Sequence, residues 1–291
     1  MSDFIKKILW TTDFSDEAQE ALLYAHAFAK TFRAKIAALH VVPGFSSAVM
    51  EAAVPVREAL TRRLVALKKE ADSRLDRVKS ARKVRFKPVV KDGNAAKRII
   101  ETAEEEKADL IVMGRRGESA IEKLFIGSVA NQVLRHASVP VLLTKKKSGA
   151  PRFDKILVPT DFSEQEERER DFAVRLARGF GSEITLLHVL ELHGYEFPPK
   201  ILDEMFDAVR EKLLDRKKRQ KGIRVSEDVT RAVNAASGIV DYAETHGMDL
   251  IVISTCVHSW LERFFLGSTT EKVISYSSVP VFAIPPSQCA R

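Results

Sequence analysis

Two tandem copies of one α/β domain, each a parallel sheet with helices on both faces, are expected from this 291-residue chain. The first ground is an internal repeat. Lys7-Ile8-Leu9-Trp10-Thr11-Thr12-Asp13-Phe14-Ser15 returns as Lys155-Ile156-Leu157-Val158-Pro159-Thr160-Asp161-Phe162-Ser163, and Ala38-Leu39-His40-Val41 as Leu186-Leu187-His188-Val189, both at an offset of 148. Asn94-Ala95-Ala96, Asp109-Leu110-Ile111-Val112 and Ser138-Val139-Pro140-Val141 return from Asn234, Asp249 and Ser278 at an offset of 140, so the second copy is eight residues shorter between His188 and Asn234. The second ground is alternation: short apolar runs of strand type are separated by segments of helical spacing, an order that builds parallel sheets. The third is size, since this length suits about two domains and 45% hydrophobic residues suffice for two cores. The boundaries fall at residues 1–147 and 152–291, and Lys145 to Pro151 reads as an exposed linker.

In the first copy, Ile5 to Thr11 is the first strand. Ser15 is a good N-cap for a helix whose inner face is Ala18, Leu22, Ala25, Ala29 and Phe32. Lys35 to Val42 is the second strand, closed by Pro43-Gly44. A long helix is expected from about Ala52 to Arg82, with Val56, Leu60, Leu64, Leu67, Ala71, Leu75 and Val78 facing inwards. Val84 to Val90, Asp109 to Met113 and Pro140 to Thr144 complete the strands; Ala95 to Lys107 and Ser128 to His136 complete the helices. The second copy repeats the series, with strands near Lys155–Pro159, Glu183–Leu190, Arg224–Thr230, Asp249–Ser254 and Pro280–Ile284, and a capping box of Ser163 with Glu166.

The chemistry concentrates in Leu110-Ile111-Val112-Met113-Gly114-Arg115-Arg116-Gly117, followed after nine residues by Gly127-Ser128-Val129-Ala130. A strand that runs through glycines onto a helix start suits an anion: backbone can approach phosphate oxygens, and free N–H groups at the positive end of the helix dipole face the charge. An ordinary βα turn with glycines for tight packing has the same spacing. In open parallel sheets the ligand lies beyond the carboxyl ends of the strands, at the switch in strand order. Asp13, Gly114 and Val41 meet on that rim.

Thr12-Asp13-x-Ser15, then Met113-Gly114-x-x-Gly117-x9-Gly127-Ser128, then Ser138-Val139-Pro140-Val141 resemble the universal stress protein family in its tandem form. The resemblance covers nearly the whole chain. It implies a five-stranded, Rossmann-like domain of the adenine nucleotide alpha hydrolase type, and ATP bound where the glycine pattern is intact. Carried over by position, Asp13 meets the adenosine, with Thr12 beside it in the nucleotide site, and the Val41 backbone meets the adenine edge. Gly114, Gly117, Gly127 and Ser128 hold ribose and phosphates, with Arg115 and Arg116 near them, and Met113 and Val129 are counted with the nucleotide-binding residues. Mg²⁺ is expected with the triphosphate, held mainly by phosphate oxygens and water. The resemblance also implies pairing through the last strand, so the two copies are expected to form an intrachain pseudo-dimer; whether chains pair further is left open, with a homodimer as the candidate.

The second copy departs from the pattern. Ser254 stands for Gly114 and Val257 for Gly117, while Asp161 and Gly267-Ser268 are kept. A β-branched residue is expected to be incompatible with a positive φ at the second glycine. Residues 1–147 hold 28 Lys/Arg against 18 Asp/Glu, whereas residues 148–291 hold 19 against 22. A positive field beside the intact loop favours an anionic ligand. No apolar run approaches a membrane span, no secretory core follows Met1, and no nucleic-acid motif or Walker-type loop is present. Cys256 and Cys289, the two cysteines, suit a reducing cytoplasm. The histidines form no H-x3-H or H-E-x-x-H pattern; His188 and His193 with Glu191 are a conceivable but disfavoured ligand set, and His40 and His188, repeat equivalents, read as structural. Three functions follow: an ATP-binding regulatory module, a slow ATP hydrolase or phosphotransferase, or a nucleotide-independent scaffold.

Overall fold

A computed structural model describes residues 4–44, 54–117, 126–145, 149–163, 166–192, 197–218, 222–255 and 266–285. Cys256, Val257, His193, His258, Cys289, residues 146–148 of the linker and the start expected for the long helix lie outside these residues, as does the Glu166 side chain of the capping box.

The first domain runs β1 (Lys7–Thr11), α1 (Asp16–Phe32), β2 (Lys35–Val42), α2 (Val54–Arg82), β3 (Lys87–Asp92), α3 (Ala95–Glu105), β4 (Leu110–Gly114), α4 (Ser128–His136) and β5 (Val141–Thr144). The second runs β6 (Lys155–Pro159), α5 (Glu166–Phe180), β7 (Glu183–Glu191), α6 (Pro199–Lys218), β8 (Val225–Ala232), α7 (Ala235–Thr245), β9 (Leu250–Ser254), α8 (Ser268–Tyr276) and β10 (Val281–Ile284).

The ten strands among the described residues form one sheet in the order β3-β2-β1-β4-β5-β10-β9-β6-β7-β8. Pairing is parallel within each domain, and antiparallel only where β5 meets β10, with Phe282 opposite Leu142. The chain leaves β1 for β2 and β3, then returns to the other side of β1 at β4. That reversal opens a crevice between the ends of β1 and β4. The central strands are buried on both faces, which is why β1 and β4 read as continuous apolar runs.

One core layer lies under α1, α2, α5 and α6 and crosses the domain boundary. Its aromatic cluster joins Phe28 to Phe180 at 5.0 Å and Phe4 to Phe172 at 5.0 Å between ring centroids. Gly179 makes this fit possible: a Cβ there would stand 2.5 Å from the Phe32 ring. The other layer lies under α3, α4, α7 and α8.

The repeated short motifs have local structural work. Ser15 accepts from the Ala18 N–H as N-cap of α1, and Asn94 and Asn234 accept from the Lys97 and Ser237 N–H groups at the starts of α3 and α7. Asp109 Oδ2 accepts from the N–H groups of Lys6 and Lys7, and Asp249 Oδ2 from those of Asp154 and Lys155, bracing the start of each domain's first strand.

Two expectations about elements are corrected. β3 begins at Lys87, the partner of Ala37, because Val84 and Phe86 are buried before the ladder starts. In α2 only Ala71 and Leu75 are fully buried, and Val56 is 48% exposed. The amphipathic pattern of this helix outruns the sheet that it covers, so its first half has little sheet to face.

Candidate functional site

The crevice between β1 and β4 is a cleft of about 380 Å³. All eleven residues expected at the site line it: Thr12 and Asp13 after β1, Val41 on β2, Met113 to Gly117 at and after β4, and Gly127 to Val129 at the start of α4. Ala95 and Ile99 of α3 and Leu39 of β2, not anticipated from sequence, add apolar surface. Their signal was present, since Ala95 opens a capped helix at the same rim.

Helix α4 begins at Gly127, which has no side chain to cap it, and no side-chain cap bond is made. Its first internal bond is from Asn131 N–H to the Gly127 carbonyl, 2.9 Å. The N–H groups of Ser128, Val129 and Ala130 therefore precede the helical ladder, and these three residues line the cleft. The positive end of the helix dipole adds to them. A helix start of this kind has the chemistry that suits an anion.

Asp13 sits in a tight local frame. Its Oδ1 accepts from Ser15 N–H at 3.0 Å, and Phe14 between them has φ 70°, a left-handed conformation rare for a large side chain. Phe162 repeats it at φ 65° in the second domain. His40 Nδ1 lies 2.7 Å from the Thr12 carbonyl, and its ring is 4.5 Å from Phe14, which also meets the Arg74 guanidinium at 4.0 Å. His188 has the same bond to Thr160, 2.8 Å. Burial pushes the His40 pKa below the usual histidine value, against the Thr12 hydrogen bond that raises it.

The glycines divide by task. Gly117 does not have a positive φ, which corrects the conformational expectation. Its constraint is space: a Cβ there would stand 2.5 Å from Asp13 Oδ2. A Cβ on Gly114 would meet backbone of α1, 3.0 Å from Glu17 C and 3.1 Å from Ala18 N. Gly114 is thus a packing glycine at the start of α1. At Gly127 a Cβ would lie 3.2 Å from the Arg115 carbonyl.

The two arginines are committed to protein partners. Arg116 donates through Nη2 to Glu17 Oε1 at 2.8 Å and through its backbone N–H to Glu17 Oε2 at 2.8 Å. Arg115 is 3% exposed, and its Nη1 donates to the carbonyls of Ile274 and Ser275 at 2.7 Å each, in the second domain. Burial, then the charge of Arg116, lowers its pKa. Glu17 was not anticipated from sequence. Its signal is an asymmetry of the repeat, since Gln165 stands at the equivalent position.

The second domain has a cleft of about 310 Å³ at the equivalent rim. Asp161, Glu169 and Glu191 line it together with Ser254, Gly267 and Ser268. Asp13 is the one carboxylate among the described residues lining the first cleft. No group of three His, Cys, Asp or Glu residues suited to a metal occurs among the described residues, and no helix among them is long and apolar enough to cross a membrane.

The sequence model described as the Universal stress protein family matches twice, over residues 5–145 and 152–285. The chain is 37% identical over 146 residues to Universal stress protein MJ0531 of Methanocaldococcus jannaschii, an alignment covering 48% of this chain and 82% of that protein. It is 30% identical over 169 residues to Universal stress protein MJ0577 of the same organism, covering 51% and 99%. The crystal structure of a universal stress protein from Archaeoglobus fulgidus superposes with a TM-score of 0.67 at 23% identity, covering 96% of each chain, which is a likeness of fold.

Proposed function

The chain belongs to the universal stress protein family as a tandem two-domain member, and from that premise we propose that its first domain binds one ATP and that occupancy regulates the surface offered to partners in the cytoplasm. One observation carries this reading: the uncapped start of α4 and the fixed carboxylate of Asp13 line the same cleft. The helix start suits phosphate. Asp13 can accept from ribose hydroxyls or the adenine edge, and Leu39, Val41 and Ile99 supply apolar contact for the base. Mg²⁺ would rest mainly on phosphate oxygens and water, with the Ser128 hydroxyl close by.

The second cleft is a poor match for the same ligand. Its three carboxylates oppose a triphosphate, and Val257 replaces the glycine that leaves room for the aspartate. Its role is that of a scaffold, with domain limits near 1–147 and 152–291. Calorimetry of the full chain with Mg·ATP tests the proposal: a stoichiometry near one is expected, unchanged by Val257→Gly. Two equivalent sites, or binding lost on changing Asp161 and kept on changing Asp13, would refute it. Single-turnover assays with the same complex are expected to show retention of the triphosphate, since no second carboxylate among the described residues lines the first cleft to activate water.

A further inference from the structure

We propose that the second domain works as a clamp on the nucleotide cleft of the first, through the single side chain of Arg115. The inference rests on the reading that the first cleft takes ATP. It gives the altered domain a task inside the same molecule.

Arg115 joins three elements. Its backbone N–H donates to the carbonyl of Thr144 at the end of β5, 2.9 Å, and its carbonyl accepts from the N–H of Gly127, 3.0 Å, the residue that opens α4. Its Nη1 crosses to α8 and donates to Ile274 and Ser275 at 2.7 Å and Ser277 at 3.2 Å. Those carbonyls end a helix, where the ladder leaves them without intrahelical donors and the dipole is negative. A cation there is well placed, and burial of the pair strengthens each charge-assisted bond. The position of Gly127, and with it the free N–H groups that follow, is thus referred to the second domain.

The arrangement is not returned. Thr255 is the repeat equivalent of Arg115; it is buried, and its hydroxyl donates to Ile284 within its own domain, 3.2 Å. The clamp runs one way, from the altered domain to the intact one. Arg115 is therefore a positioning residue. Its guanidinium is spent on α8, yet the affinity of the cleft depends on it.

The test uses full-length Arg115→Met and Arg115→Lys proteins, with Mg·ATP titration and hydrogen exchange read together. Arg115→Met is expected to weaken ATP by about tenfold or more, equivalent to about 1.4 kcal/mol. It should also speed exchange at the Gly127 and Asn131 amides as well as at Ser277 in the second domain. Arg115→Lys, which keeps the charge, should recover part of both effects and serves alone if the Met protein does not fold. Unchanged ATP affinity in the Met protein, or faster exchange confined to the second domain, overturns the proposal. If the wild-type protein takes up no ATP, the nucleotide reading has failed. The exchange measurement then decides the clamp by itself: an unchanged Gly127 amide refutes it and a faster one sustains it.

Discussion

Gly117 and Asp13 share one space: a Cβ on the glycine would stand 2.5 Å from Oδ2 of the aspartate. The obstructed atom is the far end of a side chain, but Oδ1 of the same carboxylate is held by the Ser15 N–H. Any side chain at residue 117 must turn Asp13 out of this frame. Gly117→Val, which copies Val257, is therefore expected to weaken ATP binding by about two orders of magnitude, roughly 3 kcal/mol. Stability should change by less than about 1 kcal/mol, because the clash is relieved by one rotation. Titration calorimetry with a parallel urea melt separates the two; binding kept within threefold would contradict the steric account.

Gly114 should behave in the opposite way. Its missing Cβ faces backbone of α1, which cannot rotate aside. Gly114→Ala is expected to cost about 1–3 kcal/mol of folding stability, as overpacking does. Ser254→Gly at the equivalent position should leave nucleotide binding unchanged. A Gly114→Ala protein with the wild-type urea midpoint would show that α1 yields freely.

Glu17 holds the loop residue Arg116 by side chain and by backbone, with both side chains about 14% exposed or less. Glu17→Gln keeps an acceptor for the backbone N–H but removes the negative charge beside the anion site. ATP affinity is expected to rise a few-fold at low salt, with the gain shrinking as ionic strength increases. Stability should fall by about 1–3 kcal/mol, since Arg116 loses its counter-charge in a largely buried place. Affinity that falls in the Gln protein would mean that Glu17 orders the loop more than it opposes the ligand.

His40 makes the first domain sensitive to acid. Its pKa is lowered on folding, by burial first, so the unfolded chain binds the proton more readily. The neutral ring's contribution is fully present above the unfolded value of about 6.5 and is lost as pH falls below it towards the folded value. The facing charges are Arg74, which lowers the pKa, and Asp13, which raises it. Urea melts between pH 7.5 and 5 should show stability falling with pH, and His40→Asn should flatten that slope. A slope unchanged in the Asn protein would assign it to other groups.

Much of this protein was legible in its residues. The repeat set the domain number, and periodicity placed the described strands of both domains and the helices of the first near their observed positions. The rim residues Asp13, Val41 and Gly114 could be grouped because a parallel sheet carries all strand ends to one side. Local chemistry suffices for these, since apolar spacing, caps and glycine act within a few residues of themselves.

What depends on atoms distant in sequence was decided by the tertiary structure. The α2 pattern announces a face but not the length of sheet available to cover it. A glycine in sequence does not say whether it avoids a carboxylate, as Gly117 does, or a helix backbone, as Gly114 does. The resemblance puts two adjacent arginines of the glycine loop beside the phosphates. Folding gives one to Glu17, 99 residues away, and the other to Ile274, 159 residues away. Charge pairing over such separations is set by which surfaces the sheet order brings together, and that order exists only once ten strands share one sheet.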